Sequence, residues 1–365
     1  MRAGIVTIFD NENFGNRLQN YALSKILHNY LESTYTIKNK FLDEKIYKRM
    51  LRACALAENV ILNRVCGKKR KGTILSFNNK YLDVGRSCYW FNVQKEKVRC
   101  IDSCDIYCAG SDQVWNPTLG RTAIFNYLGF AERDRTFSYA ASFGVDTIPD
   151  EHRDAVKKGL EHIKFISVRE DAGKRIVEEL TGRTDVQVLV DPTMLLTTPE
   201  WDEVAEETKQ KLPEKYVMTY FLGEVSENRR QAVENKAAEL GCEVIWTMDK
   251  GSPFYDVGPG HFVHMIKYAQ MVCTDSFHGS VFSFLYGRPL AIFDRNGGDD
   301  MSSRLVTLAK KFSLQCNLVK NDDLTNLSMK PDYSTGYLVL EEERKKSKAY
   351  LDMVFEEAER AGLCK

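Results

Sequence analysis

The sequence predicts an α/β fold made of two successive Rossmann-like domains with a cleft between them. Residues 3–9 (AGIVTIF) form a continuous apolar run, which is typical of a strand in a parallel sheet. A helix is predicted at 16–30, because apolar residues recur there on one face. The alternation of strands and helices pauses near Asp191 and begins again with a strand at 216–222. Two such sets of similar size indicate two domains.

Composition is that of a globular protein and excludes some classes of function. Hydrophobic residues make up 43% of the 365 residues and charged residues 28%. Lys plus Arg number 51 and Asp plus Glu number 51, so no basic excess favours nucleic-acid binding. No run of 18 apolar residues is present, so no integral membrane segment is expected. The 10 cysteines include no CxxC pair, which predicts buried thiols, a cytoplasmic location and no metal site.

The loop after the first strand carries the first candidate binding residues. Asn13, Gly15 and Asn16 follow the strand directly, and open α/β sheets bind ligands at the carboxyl ends of their strands. A GxGxxG dinucleotide fingerprint is absent. A helix cap and a turn glycine would explain the same residues without any ligand.

A second candidate loop follows the strand predicted at 106–109. Ser111, Asp112 and Gln113 lie in the polar segment 110–117, again at the carboxyl end of a strand. Turn chemistry alone would also account for serine and aspartate here.

Arg169 lies at the junction of a short strand and a helix. A strand is predicted at 136–143 and a helix at 150–160, followed by a strand at 165–168. Arg169 comes next and the helix 170–180 begins immediately, so the guanidinium is placed at the ligand-binding edge. The alternative is an exposed ion pair with Glu170 or Asp171.

The second half repeats the arrangement and places His278 at a helix N-terminus. Its earlier elements are predicted at 216–222 (strand), 228–240 (helix), 243–247 (strand) and 260–269 (helix). Residues 271–274 form a buried strand, Ser276 is an N-cap former, and a mostly apolar helix covers 279–286. Helix N-termini attract anions, so His278 predicts an anionic ligand. A core histidine satisfied by backbone groups is the alternative.

The predicted division of the chain is 1–190, 191–338 and a C-terminal segment 339–365. The last segment contains a charged helix at 341–361, for which a return to the first domain is left open. The basic stretch 38–72 predicts a solvated surface. Peripheral contact of that stretch with the inner face of a membrane is also left open.

Six sequence blocks in order resemble the polysaccharide pyruvyl transferase family. They are NFGNRLQNYAL near the N-terminus, GSDQVWNP, SYAASFG, SVRE at 167–170, DPTMLL at 191–196 and TDSFHGSVFS at 274–283. The resemblance implies a GT-B glycosyltransferase-like fold, with the first domain on the acceptor side and the second on the donor side. It implies transfer of a pyruvyl group from phosphoenolpyruvate to sugar hydroxyls of a polysaccharide or its precursor, which forms a pyruvate ketal and releases phosphate.

The resemblance also assigns candidate site residues. Arg169 and His278 match family positions taken to carry donor binding and catalysis, and Asp112 is a candidate for activating the acceptor hydroxyl. Asn13 and Arg304 are looser matches, and Arg304 follows a glycine-rich loop at 297–300. No cofactor is implied beyond phosphoenolpyruvate as donor substrate. The acceptor sugar, its attachment to a lipid and the oligomeric state are left open. Two alternatives remain, a GT-B glycosyltransferase that uses a nucleotide sugar and a non-catalytic sugar- or anion-binding protein.

Overall fold

The structure, a computed structural model, describes residues 1–9, 13–37, 39–42, 68–84, 88–91, 104–121, 123–208, 210–295 and 302–363. The chain divides into two compact units. Unit 1 comprises Met1–Phe143, Thr147–Leu189 and Tyr350–Lys365, and unit 2 comprises Gly144–Asp146 and Val190–Ala349. Among the helices of these residues, none is both long enough and apolar enough to cross a membrane.

Unit 1 contains a six-stranded sheet whose order is β2-β1-β5-β6-β7-β8 and whose strand pairs are all parallel. These strands are β1 (Arg2–Val6), β2 (Ser33–Thr36), β5 (Ile106–Asp112), β6 (Thr136–Ala141), β7 (Ser167–Val168) and β8 (Gln187–Val188). A separate parallel pair joins β3 (Asn39–Leu42) to β4 (Cys88–Phe91). The helices are α1 (Phe14–Leu27), α2 (Lys68–Tyr81), α3 (Asp150–His162) and α4 (Asp171–Thr181). Every residue of β5 and β6 is buried, as expected of central strands covered on both faces.

Unit 2 contains a four-stranded parallel sheet of order β10-β9-β11-β12. Its strands are β9 (Tyr216–Tyr220), β10 (Glu243–Trp246), β11 (Met271–Thr274) and β12 (Leu290–Ile292). Its helices are α5 (Thr198–Asp202), α6 (Glu227–Glu239), α7 (Pro259–Tyr268), α8 (Phe277–Leu285) and α9 (Ser302–Lys311). The predicted fold class, α/β with parallel sheets in two sets, is confirmed.

The last helix, α10 (Ser334–Arg360), begins seven residues before the predicted helix at 341–361. Arg344 fastens it within unit 2 by donating to the carbonyl oxygens of Met194 and Leu196, each at 2.9 Å. Its end belongs to unit 1, where the Tyr350 hydroxyl donates to the Ser138 carbonyl at 2.8 Å.

Strand β2 was not predicted, because its sequence STYT is polar and short. The two threonines are nevertheless buried, and helix α1 satisfies their hydroxyls. Thr34 is hydrogen-bonded to Ser24, and Asn20 donates to Thr36 at 2.8 Å. A buried polar strand of this kind is stable only beside matching polar groups on its neighbour. Most of the predicted basic stretch 38–72, and the loop 297–300, lie outside the described residues.

Candidate active site

Two of the predicted catalytic residues are in contact in unit 1. Arg169 follows β7 and Asp112 ends β5, and the Arg169 Nη2 atom lies 3.5 Å from the Asp112 Oδ1 atom. The two side chains are only 3% and 7% exposed. Parallel strands two places apart in the sheet order bring their carboxyl ends to the same edge, which explains how residues 57 positions apart meet.

Glu170 completes a buried charged cluster around Arg169. Its Oε2 atom lies 4.0 Å from Arg169 Nε, and its side chain is 3% exposed. Its Oε1 atom accepts hydrogen bonds from the Ser142 hydroxyl at 2.9 Å and the Phe143 amide at 2.8 Å. The alternative for Arg169 was an exposed ion pair with Glu170 or Asp171. The pair with Glu170 is present but buried, so the alternative is wrong about its exposure. A buried guanidinium needs such partners to offset its desolvation.

The backbone at Asp112 is strained. Asp112 has φ of 74°, a left-handed conformation that costs a residue with a side chain roughly 1–3 kcal/mol. Its Oδ1 atom accepts from the Gln113 amide at 2.9 Å, which fixes the carboxylate toward Arg169. Strain of this kind concentrates at functional sites, so it supports the choice of Asp112.

The neighbouring candidates in unit 1 have structural contacts. Ser111 is fully buried, and its hydroxyl donates to the Ala140 carbonyl at 3.1 Å, tying β5 to β6. Gln113 is 6% exposed. Asn13 is the N-cap of α1 and accepts from the Gly15 amide at 2.9 Å, as the capping alternative expected. Asn16 is 4% exposed and lies within the first turn.

The sequence analysis did not single out Arg17, although it is fully buried in α1. Its guanidinium lies 4.2 Å from the centre of the Phe9 ring and donates to the Ile8 carbonyl. The available signal was an arginine in the first turn of a helix that follows a buried strand. These contacts indicate that Arg17 holds the segment before α1 in place.

In unit 2, His278 lies in the first turn of α8 and is 4% exposed. The N-cap is Ser276, whose hydroxyl accepts from the Gly279 amide at 3.4 Å. The Ser276 amide in turn donates to the Thr274 hydroxyl at 3.0 Å, so the β11–α8 turn is tightly fixed. The buried ring is therefore held beside the positive end of the helix dipole, as predicted.

His278 faces the carboxylate of Asp191, which the sequence places at the domain boundary and in the DPTMLL block. Its Nε2 atom lies 3.5 Å from the Oδ2 atom of Asp191, which is 1% exposed. This is ion-pair distance, although the geometry falls short of a hydrogen bond. The core-histidine alternative required satisfaction by backbone groups, whereas the structure pairs this ring with a side-chain carboxylate.

A second cation that the sequence analysis missed is Arg295, just beyond β12. Its Nε atom lies 3.5 Å from the Asp275 Oδ2 atom, and its Nη2 atom donates to the Asp275 carbonyl at 3.3 Å. Asp275 is itself held by the amides of Leu222 at 2.7 Å and Gly223 at 2.8 Å. Because Asp275 directly precedes the N-cap of α8, the guanidinium adds positive charge to the approach to that helix.

The last predicted binding residue, Arg304, lies near the start of α9 and is 7% exposed, so it is not an exposed surface side chain.

The described residues contain no group of three or more His, Cys, Asp or Glu that could hold a metal ion.

A match to a protein-family model decides which family the chain belongs to. The sequence model described as "Polysaccharide pyruvyl transferase" matches residues 13–297, which is well over half of the chain. The chain belongs to the polysaccharide pyruvyl transferase family. The match includes every candidate residue except Arg304. No curated protein sequence matches this chain.

Several solved structures are similar to this chain over most of its length. UDP-N-acetylglucosamine 2-epimerase from Rickettsia bellii shares 9% identity, covers 97% of this chain and 98% of its own, and has a TM-score of 0.41. UDP-GlcNAc 2-epimerase from Methanocaldococcus jannaschii shares 11% identity over 93% of this chain and 99% of its own, with a TM-score of 0.40. The glycotransferase of kitacinnamycin shares 11% identity over 96% of this chain and 95% of its own, with a TM-score of 0.38.

Proposed function

We propose that this protein moves the pyruvyl group of phosphoenolpyruvate onto two hydroxyls of one sugar in a polysaccharide or its precursor. The observation that carries the proposal is the family match. Two buried pairs at strand ends support it, Arg169 with Asp112 and His278 with Asp191. Such ends are where α/β sheets bind ligands. The product is a pyruvate ketal and the leaving group is inorganic phosphate.

The proposed chemistry has two steps. A proton adds to C3 of phosphoenolpyruvate while the first sugar hydroxyl attacks C2 and loses its own proton. The second hydroxyl then attacks C2, the bond from C2 to the phosphate oxygen breaks, and phosphate leaves with that electron pair. The proton of the second hydroxyl ends on phosphate, so both hydroxyl protons are accounted for. Each step needs proton transfer and stabilisation of negative charge.

The donor carries a phosphate and a carboxylate, so it requires positive charge. In unit 2, His278, the amides at the start of α8 and Arg295 all lie around the Asp275–Ser276 turn. A helix N-terminus and a guanidinium are both suited to binding phosphate. Arg169 supplies a second guanidinium, oriented by Asp112 and Glu170 before any ligand arrives.

The acceptor is uncharged at its hydroxyls and requires hydrogen-bond acceptors. Asp112 and Glu170 place two carboxyl groups beside the Arg169 guanidinium. A carboxylate there can orient a hydroxyl or accept its proton. We assign the orienting role to Asp112, since Glu170 Oε1 is already occupied by Ser142 and Phe143.

The test is phosphate release from phosphoenolpyruvate by the purified protein, with and without a panel of free and lipid-linked hexosides. The proposal expects release that depends on an added sugar. Consumption of a nucleotide sugar with no use of phosphoenolpyruvate would show a glycosyltransferase instead. Saturable binding of a sugar or of phosphoenolpyruvate with no turnover on any acceptor would show a binding protein.

A further inference from the structure

Asp191 is held in one orientation by its own turn. It is the N-cap of a short 3-10 helix, Pro192–Met194, and its Oδ1 atom accepts two hydrogen bonds from Thr193. The Thr193 amide donates at 3.0 Å and the Thr193 hydroxyl at 2.8 Å. With Oδ1 fixed in this way, the Oδ2 atom is the one that lies 3.5 Å from His278 Nε2.

The segment that carries Asp191 is also fastened to the helix that carries His278. Trp201 is fully buried, and its Nε1 atom donates to the Thr193 carbonyl at 3.0 Å. The same indole packs edge-on against Phe282 of α8, with ring centres 4.7 Å apart and planes at 75°. Arg344 adds two further hydrogen bonds to the carbonyls of Met194 and Leu196. The carboxylate and the imidazole therefore sit on elements that are packed as one body within unit 2.

We infer that Asp191 is a positioning residue that keeps the proton of neutral His278 on Nε2, so that Nδ1 is the nitrogen that exchanges a proton with the reacting groups. This inference rests on the proposed function for its kinetic part. The protonated ring gives its Nδ1 proton to C3 of phosphoenolpyruvate and becomes neutral, and neutral Nδ1 takes the proton of the sugar hydroxyl. A carboxylate on the far nitrogen stabilises the imidazolium form that exists before the first transfer and again after the second. Such hydrogen bonds are often long without substrate, in keeping with the 3.5 Å separation.

Asp191→Asn tests this with an almost isosteric change. The Thr193 amide and hydroxyl both point at Oδ1, so the amide oxygen of the new side chain takes that position. Its NH₂ group then faces His278 Nε2, and a donor there favours the ring form with the proton on Nδ1. The equivalent change in serine proteases leaves the geometry intact and lowers kcat by about four orders of magnitude through the wrong tautomer.

The spectroscopic measurement does not need turnover. Nitrogen NMR of the histidine rings, with the His278 signals assigned by their loss in His278→Gln, reports which nitrogen carries the proton. We expect Nε2 to be protonated in the native protein and Nδ1 in Asp191→Asn, at a pH where the ring is neutral. A native ring protonated on Nδ1, or a ring whose tautomer does not change, would overturn the inference whatever the substrate is.

The kinetic measurement separates positioning from binding. We expect kcat of Asp191→Asn to fall by roughly 10²- to 10⁴-fold while the KM for phosphoenolpyruvate changes by less than about threefold. Thr193→Val keeps the amide but removes the hydroxyl, so its kcat should fall only several-fold. Asp322→Asn, which breaks an ion pair with Arg229 elsewhere in unit 2, is the matched control and should keep its kcat. An unchanged tautomer with a kcat loss that follows the melting temperature would assign Asp191 a structural role only.

Discussion

The Arg169 Nη2 atom lies 3.5 Å from the Asp112 Oδ1 atom, with both side chains buried at the edge of the unit 1 sheet. The guanidinium is also flanked by Glu170 at 4.0 Å. An arginine held from two sides loses little side-chain freedom when a ligand binds. Pre-orientation of this kind favours a bidentate contact with a carboxylate or phosphate.

Replacing Arg169 by lysine should weaken binding of phosphoenolpyruvate. Lysine keeps the positive charge between Asp112 and Glu170, so the fold should survive, but it lacks the planar fork of donors. Loss of one charged hydrogen bond is worth about 1.5–3 kcal/mol, which corresponds to a KM rise of roughly ten- to a hundredfold. Steady-state kinetics measure it. Arg169→Lys with a native KM and native kcat would remove Arg169 from donor binding.

Replacing His278 by glutamine should lower kcat by roughly two to four orders of magnitude, because a proton-transfer group is lost. His264→Gln is the matched control, since His264 lies on α7 in the same unit. Burial lowers the pKa of His264, and the chemistry proposed does not use it. Single-turnover rates and melting curves on both variants separate the outcomes. Equal losses in the two variants would contradict a special role for His278.

Replacing Arg295 by methionine should raise the Kd for phosphoenolpyruvate about tenfold, because positive charge beside the α8 N-terminus is removed. Arg230→Met is the control. Arg230 also pairs with an aspartate in unit 2, since its Nη2 atom lies 2.9 Å from Asp249 Oδ2. Its Cζ atom lies 4.0 Å from the centre of the Trp246 ring. Titration with phosphoenolpyruvate by calorimetry gives both affinities. Similar affinities for the two variants would place the donor's anionic groups away from Arg295.

Gly279 should not tolerate a side chain. A Cβ atom there would lie 2.5 Å from the Thr274 hydroxyl, which already bonds the Ser276 amide and the Tyr220 carbonyl. Gly279→Ala should therefore lower the free energy of unfolding by roughly 1–3 kcal/mol through overpacking. Gly251→Ala meets no atom within 4 Å and serves as control. Denaturant melts measure both, and equal stabilities would show that the turn before His278 has room to adjust.

Chelation should leave turnover intact. The sequence has no CxxC or HExxH spacing, and arginines and helix amides can neutralise the donor. The rate of phosphate release after exhaustive treatment with EDTA measures this. Activity lost on chelation and restored by a divalent ion would contradict the expectation.

The sequence predicted elements better than contacts. The strand–turn–helix around His278 was recognised because apolar runs and cap residues are local signals. Arg169 and Asp112 were chosen separately, since both follow strands, and their contact depends on sheet order. Asp191 marks the pause between the two predicted domains, and only folding brings it to His278, 87 residues later along the chain. Arg295 was missed for the same reason, because its partner Asp275 lies on a neighbouring strand end.

The most direct test of the account uses phosphoenolpyruvate labelled with ¹³C at C2, an acceptor hexoside on which the protein turns over, and NMR of the product. We expect the labelled carbon to become a quaternary ketal carbon bonded to two oxygens of one sugar, with phosphate released in equal amount. We also expect a C3 methyl group, because C3 gains a proton. A labelled vinyl ether on a single sugar oxygen, or no transfer of label while a nucleotide sugar is consumed, would contradict this expectation.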